Sequence, residues 1–377
     1  MNGEDNGHKL HSLWLEGNSS WASSTLLFGT ADPQRRHLLA AINRQPATLE
    51  ELAALPETET AQVATDLAVM ERLNLVRKDS KHCYVPSFPI LSTDDMKQLM
   101  PLVEPAMEDY CRIITELAPE LDQLLYDLGL TPNSRLAFFL GFARDELAYN
   151  EIKRRGLFPA ETKKIAGMEC IYAAEPFAPL DSYPRPGLIH SANGNYRLLY
   201  NRETFRNRHL FTRWGFEFPN RATPALTAIM EQLNTPRTVV QLAQQLADKG
   251  DVAGLDKLLK EGHLPSVLNY LANQGWVSWQ QHWQAQPIVI TDSNIKKLAE
   301  LVAPASNVIA DLVQHDTLGD IYPATSPGRH QVPLPMFRAA VAWKTTSTAT
   351  GMLAAQGYFP TDDRELYIFH TEQTATA

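Results

Sequence analysis

Five arginines alternate with aromatic residues in NYRLLYNRETFRNRHLFTRW, Asn195 to Trp214, and this stretch has the residue types best suited to holding a partner. Arg197, Arg202, Arg206, Arg208 and Arg213 are interleaved with Tyr196, Tyr200, Phe205, Phe211 and Trp214. In extended chain, successive side chains point to opposite faces, so arginines would gather on one side and rings on the other. Such a surface neutralises and stacks a nucleic acid, or grips an acidic peptide. A hairpin with a solvated basic face and a packed aromatic face would read the same way. The candidate binding residues are Arg197, Arg202, Arg206, Arg208, Arg213, Tyr200 and Phe205.

Residues that could do covalent or acid–base chemistry are sparser. Asp145, Glu146 and Glu151 lie close together in FARDELAYNEIKRRG, and paired carboxylates can act as acid and base. The same spacing with Arg144, Lys153, Arg154 and Arg155 describes a solvated helix face laced with ion pairs, which is the reading preferred here. The chain has no GxSxG, P-loop, GxGxxG or HExxH motif. His8 and His11 are close neighbours, but in a leader that reads as unstructured. His370 and Glu372 resemble half of a metal triad whose later histidine is missing. No catalytic residue, metal site or cofactor is assigned.

The elements that must position these residues come in two copies. KQLMPLVEPA (Lys97–Ala106) returns as KKLAELVAPA (Lys296–Ala305), 199 positions later, with six of ten residues identical. Pro46, Thr48, Leu52 and Ala53 match Pro236, Thr238, Leu242 and Ala243 at a common offset of 190. RRGLFP (Arg154–Pro159) answers AQGYFP (Ala355–Pro360), and β-rich MECIYAAE and ELYIFHTE follow. A period this long, in preserved order, marks an internal duplication.

Each copy reads as helix, Thr-capped helix, helix and β-hairpin, then long helices. That order is the winged helix-turn-helix pattern, with wings LVRKDSKHCYVPSF and WVSWQQHWQAQPIVI. The repeated phrase falls on the helix after each wing. There Leu99, Leu102 and Val103, and Leu298, Leu301 and Val302, form an apolar stripe, and the proline marks a kink or break. KGDVAGLDKLLKEGHLP (Lys249–Pro265) reads as an insertion into the second copy.

The expected fold is therefore α+β and mainly helical, with internally duplicated winged helix-turn-helix units, short β-hairpins and a pseudo-two-fold axis. The first repeat would span 1–175, with its helix-turn-helix at about 36–90 and long helices at about 93–155. The Pro-rich stretch 176–188 would link it to the second repeat, 189–377, with helix-turn-helix at about 223–290 and long helices at about 292–356.

Strands followed by LLAAINRQPATLEELAAL…VMERLNLV resemble the PqqD-like family, and the likeness covers about 65 residues of each half. The resemblance implies a winged-helix fold and recognition of peptides, since relatives in that family bind leader peptides for peptide-modifying enzymes. A similar winged-helix tail occurs in cupin-type protein hydroxylases.

Composition narrows the partner. The net charge of −9 argues against non-specific nucleic-acid binding by the whole chain. Cys83, Cys111 and Cys170 are widely spaced, with no CxxC, as in a reduced cytoplasmic protein. No apolar run is long enough for a membrane helix, so no membrane partner is expected. For DNA, the third helix of copy one carries Glu59, Asp66 and Glu71, and that of copy two carries no basic residue. Arg77, Lys78 and Lys81 in the first wing are the candidate DNA contacts.

The leading expectation is a non-catalytic adaptor that binds a protein or peptide, in a biosynthetic or modification pathway. A DNA-binding regulator acting as a fused pseudo-dimer is the alternative. A third reading, an enzyme without a recognised motif, would need a cavity around Glu146, Glu151 and His190. Further homodimerisation fits any of the three.

Overall fold

The computed structural model describes residues 14–17, 33–55, 60–127, 152, 154–156, 171–175, 177, 188–193, 196–201, 222–250, 252, 255–273, 276–286, 288–290, 292–358 and 366–371. Along the chain run β1 (Trp14–Gly17), α1 (Pro33–Arg44), α2 (Leu49–Ala53), α3 (Thr60–Arg72), β2 (Val76–Lys78), β3 (Tyr84–Pro86) and β4 (Ile90–Leu91). Next come α4 (Thr93–Glu116), α5 (Ala118–Asp127), β5 (Ile171–Ala174), β6 (Leu188–Asn193) and β7 (Tyr196–Asn201). The second half continues with α6 (Ala222–Gln232), α7 (Val239–Asp248), α8 (Leu255–Lys260), α9 (Leu264–Asn273), β8 (Val277–Trp279), β9 (Trp283–Ala285) and β10 (Ile288–Ile290). It closes with α10 (Asp292–Gln314), α11 (Asp316–Ile321), a 3-10 turn (Tyr322–Ala324), α12 (Ser326–Arg329), α13 (Leu334–Ala355) and β11 (Leu366–Thr371). The fold is mainly helical with small sheets, an α+β arrangement.

Local chemistry starts the corresponding helices in the same way. Thr48 Oγ1 accepts from Glu51 N, and the Glu51 carboxylate accepts from Thr48 N. Thr238 and Gln241 repeat this reciprocal box at α7. Each cap contributes about 1 kcal/mol by satisfying amides that the first turn leaves bare. One residue ahead of each cap, Ala47 bridges Tyr84 and Arg237 bridges Trp283, which ties the helix start to the hairpin.

The chain divides into two compact units assembled from interleaved segments. The first comprises Met1–Thr115, Leu147–Arg185 and Pro304–Gln356; the second comprises Glu116–Glu146, Pro186–Ala303 and Gly357–Ala377. This partition differs from the expected halves 1–175 and 189–377. In the first unit, Leu38, Leu67, Met70 and Phe88 share one core with Val332 and Met336, which lie far along the chain. The core of the second unit draws on α6 to β9, including Leu226, Leu242, Leu258, Leu268 and Trp283. Within the stretch Lys249–Pro265, expected to be an insertion, lies the short helix α8, whose Leu255 and Leu258 are buried there.

Among the described residues, each unit has one sheet beyond its hairpin. In the first, the order is β1-β5-β4, with β5 antiparallel to β1 and parallel to β4. In the second, the order is β10-β11-β7-β6, with β11 parallel to β10 and antiparallel to β7. The strand that follows the long helices thus lies between the post-hairpin strand and an early strand in both units.

The prolines of the repeated phrase do not break their helices. α4 runs through Pro101 and Pro105, and α10 runs through Pro304. All three are exposed, so the carbonyls they leave without a donor face water. Leu99 and Val103, like Leu298 and Val302, are buried one turn apart and hold the helix across the gap.

Candidate functional site

The two hairpins match residue for residue. Val76, Arg77 and Lys78 pair with Pro86, Val85 and Tyr84; Val277, Ser278 and Trp279 pair with Ala285, Gln284 and Trp283. Tyr84 and Trp283 both carry the bridge to the helix cap, so Lys78 and Trp279 occupy one position. Their chemistry is opposite. The Lys78 ammonium sits 4.9 Å above the Tyr84 ring, while Trp279 lies 5.1 Å from Trp283, ring to ring. Tyr84 raises the Lys78 pKa, chiefly through their hydrogen bond and with help from the charge of Glu71.

Around each hairpin the exposed groups differ in the same sense. Beside the first stand exposed Glu50, Lys78 and Lys81. Beside the second stand Val240, 75% exposed, and Trp279, 54% exposed, with Gln280, Gln281 and His282. The described cations of that segment are engaged: Arg237 Nε donates to the Gln232 carbonyl at 2.7 Å, and Lys249 pairs with Glu231. Lys257 pairs with Glu261 and Lys260 with Asp256.

Of the candidates expected on a first wing, Arg77 lies on β2 and makes a bond to the fold. Its Nη2 donates to the His330 carbonyl at 2.6 Å, which fixes one end of the guanidinium to the fold. Lys81 is exposed, and its amide donates to Asp79 Oδ1 at 2.8 Å, which shapes the tip of the β2-β3 hairpin. On α3, Asp66 is fully buried, and Arg35 Nε and Gln62 Nε2 both donate to its Oδ1. The exposed face of α3 is then Ala61, Gln62, Ala64, Thr65, Ala68 and Arg72. Sequence reading counted Asp66 as a surface charge; its partner Arg35 is 31 residues away.

The Arg-rich stretch is described only in part. Arg197 and Tyr200 lie on β7, in register with Ala192 and Phe369, and with Ile189 and Leu366. β7 is paired along both sides, so its own edges are occupied, and among the described residues β6 and β10 are the outer strands. Arg202, Phe205, Arg206, Arg208 and Arg213 fall outside the described residues, as do Asp145, Glu146 and Glu151. His190 is on β6 and His370 on β11, and they do not share a register position.

A buried polar centre in the first unit carried no sequence signal. Asp95 accepts from Ser92 N at 2.7 Å and from Ser326 N at 2.8 Å, capping its own helix and α12 together. His330, 4% exposed, donates from Nε2 to the Asn43 carbonyl at 2.7 Å, and its Nδ1 has no partner among the described residues. Burial lowers its pKa, with Arg329 and Arg77 adding to the effect and the Asn43 bond and Asp95 opposing it. Helix α13 is buried on most of its surface, and Thr345, Thr346 and Thr350 donate to carbonyls of their own helix. Burial pushes the Cys111 thiol up to about 12, which leaves it unreactive. These groups hold the first unit together from residues far apart in the chain.

Among the described residues no group of His, Cys, Asp and Glu is placed to hold a metal ion, and no helix is long and apolar enough to cross a membrane. No family model, no curated protein and no solved structure matches the chain.

Proposed function

We propose that the chain is a duplicated winged-helix protein, a fused pseudo-dimer that acts as a non-catalytic adaptor for a protein or peptide. The duplication is supported by matched capping boxes, cap-to-hairpin bridges, hairpin registers and sheet orders. A two-fold interface survives when two copies are joined in one chain. The similarity of each half to the PqqD-like family points the same way.

One observation carries the adaptor reading: the second wing corner exposes Trp279 and Val240 where the first displays Lys78 and Glu50. Tryptophan is enriched at the centres of protein interfaces, because a large ring is ordered at low entropic cost. A duplex would instead need free cations, and the described ones in this segment are engaged. The Arg-rich stretch is the second candidate contact. The test is affinity capture by the full-length protein, comparing wild type with a variant carrying Arg202→Glu, Arg206→Glu and Arg208→Glu. A stoichiometric protein lost by the reversed variant supports the reading; retention removes the Arg stretch from the site.

A DNA-binding regulator is the second reading, favoured by the burial of Asp66 on Arg35. That leaves Arg72, Lys78 and Lys81 facing outward beside an uncharged face of α3. A labelled duplex titrated at several salt concentrations separates the readings. Phosphate contacts by these three cations would give a slope of roughly −2 to −3 in log K against log salt, whereas the adaptor reading predicts no saturable binding.

A further inference from the structure

We infer that His330 is a proton-operated latch, which in mild acid releases the turn between α12 and α13 from α1 and β2 while the rest of the first unit stays folded. The latch is independent of the adaptor reading.

One residue makes both ties. The His330 ring donates from Nε2 to the Asn43 carbonyl at 2.7 Å, and the His330 carbonyl accepts from Arg77 Nη2 at 2.6 Å. Asn43 lies in the last turn of α1, where the helix leaves its own carbonyls without donors, and Arg77 lies on β2. Two further bonds, Gln331 N to Gly328 O and Val332 N to Pro327 O, close the turn itself and reach neither element. The movable piece is bounded on one side by Ser326, held by Asp95, and on the other by Val332, which belongs to the core.

The ring fits this place in one protonation state. A carbonyl only accepts, so Nε2 carries the proton and Nδ1 of the neutral ring is bare. Nδ1 is buried and has no partner among the described residues. A second proton there would be an unpaired donor on a charged ring that is 4% exposed. Arg77 from β2 and Arg329 from α12 oppose that charge, whereas Asp95 from α4 and the Asn43 carbonyl from α1 favour it. Asp95 is already engaged by the amides of Ser92 and Ser326, and Arg44, next along α1, lies 3.9 Å from Glu175. Burial is the largest influence, and it disfavours the charged ring. Proton uptake is therefore coupled to departure of the ring from the Asn43 carbonyl.

The turn is also poised to move. Gln331, next to His330, has a φ of 55°, a left-handed conformation that any residue with a Cβ adopts at a cost. Relaxation of Gln331 favours the released turn.

Amide hydrogen exchange of the full-length protein between pH 7.5 and pH 5.5, corrected for the intrinsic effect of pH, reads the latch. Protection of 328–332 should fall with pH, by at most about tenfold, the limit for a histidine that recovers its ordinary 6.5 on release. Protection of α3 and α7 should hold. Nitrogen shifts of labelled histidine, assigned against His330→Gln, should show the Nε2–H form at pH 7.5 and a titration that tracks the loss of protection. His330→Gln, whose amide can still donate to the Asn43 carbonyl, should keep the turn protected at both pH values. Unchanged protection of 328–332 in wild type, the same loss in His330→Gln, or a ring titration at or above pH 6.5 overturns the inference. Loss of protection in α3 together with the turn also overturns it, because that is acid unfolding of the whole unit. Should His330→Gln fail to fold, wild-type exchange against the ring titration still decides.

Discussion

Trp279 packs on Trp283 with ring centroids 5.1 Å apart and planes tilted by 48°. At the same register position in the first unit, the Lys78 ammonium covers the Tyr84 ring. One backbone arrangement thus carries an aromatic pair in one unit and a cation–π pair in the other. Substituting Val240→Glu and Trp279→Lys together should reduce binding of an apolar dye to the native protein. Thermal stability should fall by about 0.5–1.5 kcal/mol, the range for loss of an aromatic pair. Dye fluorescence and thermal melts of the variant check both halves of this expectation.

Asp95 joins α4 to α12 through two backbone amides, Ser92 N and Ser326 N. Asp95→Ala leaves the buried Ser326 amide and the part-buried Ser92 amide without their acceptor, and should cost about 1–3 kcal/mol. Gly328→Ala should do comparable damage, because a Cβ there would stand 1.9 Å from the Tyr322 carbonyl oxygen, and backbone cannot yield easily. Urea denaturation of each variant measures the loss. An unchanged midpoint for Asp95→Ala would contradict the shared-cap account.

His330 makes the first unit sensitive to acid. Its pKa is lowered from the ordinary 6.5, so the unfolded chain takes up a proton more readily than the folded one. Its contribution is fully present above about pH 6.5 and is lost as pH falls below that toward the lowered folded value. The thermal midpoint should drop more steeply between pH 7.5 and pH 5 for wild type than for His330→Gln. Parallel melting curves for the two would contradict it.

The core of the first unit needs Val332 and Met336, which lie nearly 300 residues beyond Leu38. Cutting the chain at the Pro-rich stretch tests this dependence. A fragment ending at Arg185 lacks Pro304–Gln356 and should fail to unfold cooperatively by itself. Co-expression with the remainder should restore a 1:1 complex with a cooperative melt. Independent cooperative folding of the first fragment would show that the exchanged segment is dispensable.

Much of the local structure was legible in the sequence because its causes are local. Thr48 with Glu51, and Thr238 with Gln241, announce helix starts within four residues. The alternating runs around Val76 and Val277 announce the hairpins. The exchange of Pro304–Gln356 into the first unit was not legible, since it depends on which distant surface Val332 and Met336 meet. Asp66 read as a repelling charge because nothing nearby reveals that Arg35 neutralises it. Lys344 and the threonines of α13 are polar residue types, yet that helix is buried on most of its surface, and the hydroxyls of Thr345, Thr346 and Thr350 donate to its own carbonyls.

Capture of the full-length protein's partner from its native cell lysate, with and without nuclease, tests the adaptor reading most directly. The account predicts one stoichiometric protein that survives nuclease treatment and is lost with Trp279→Lys. Recovery of nuclease-sensitive DNA fragments sharing one recurring sequence, with no accompanying protein, would contradict it and make Arg72, Lys78 and Lys81 the working surface.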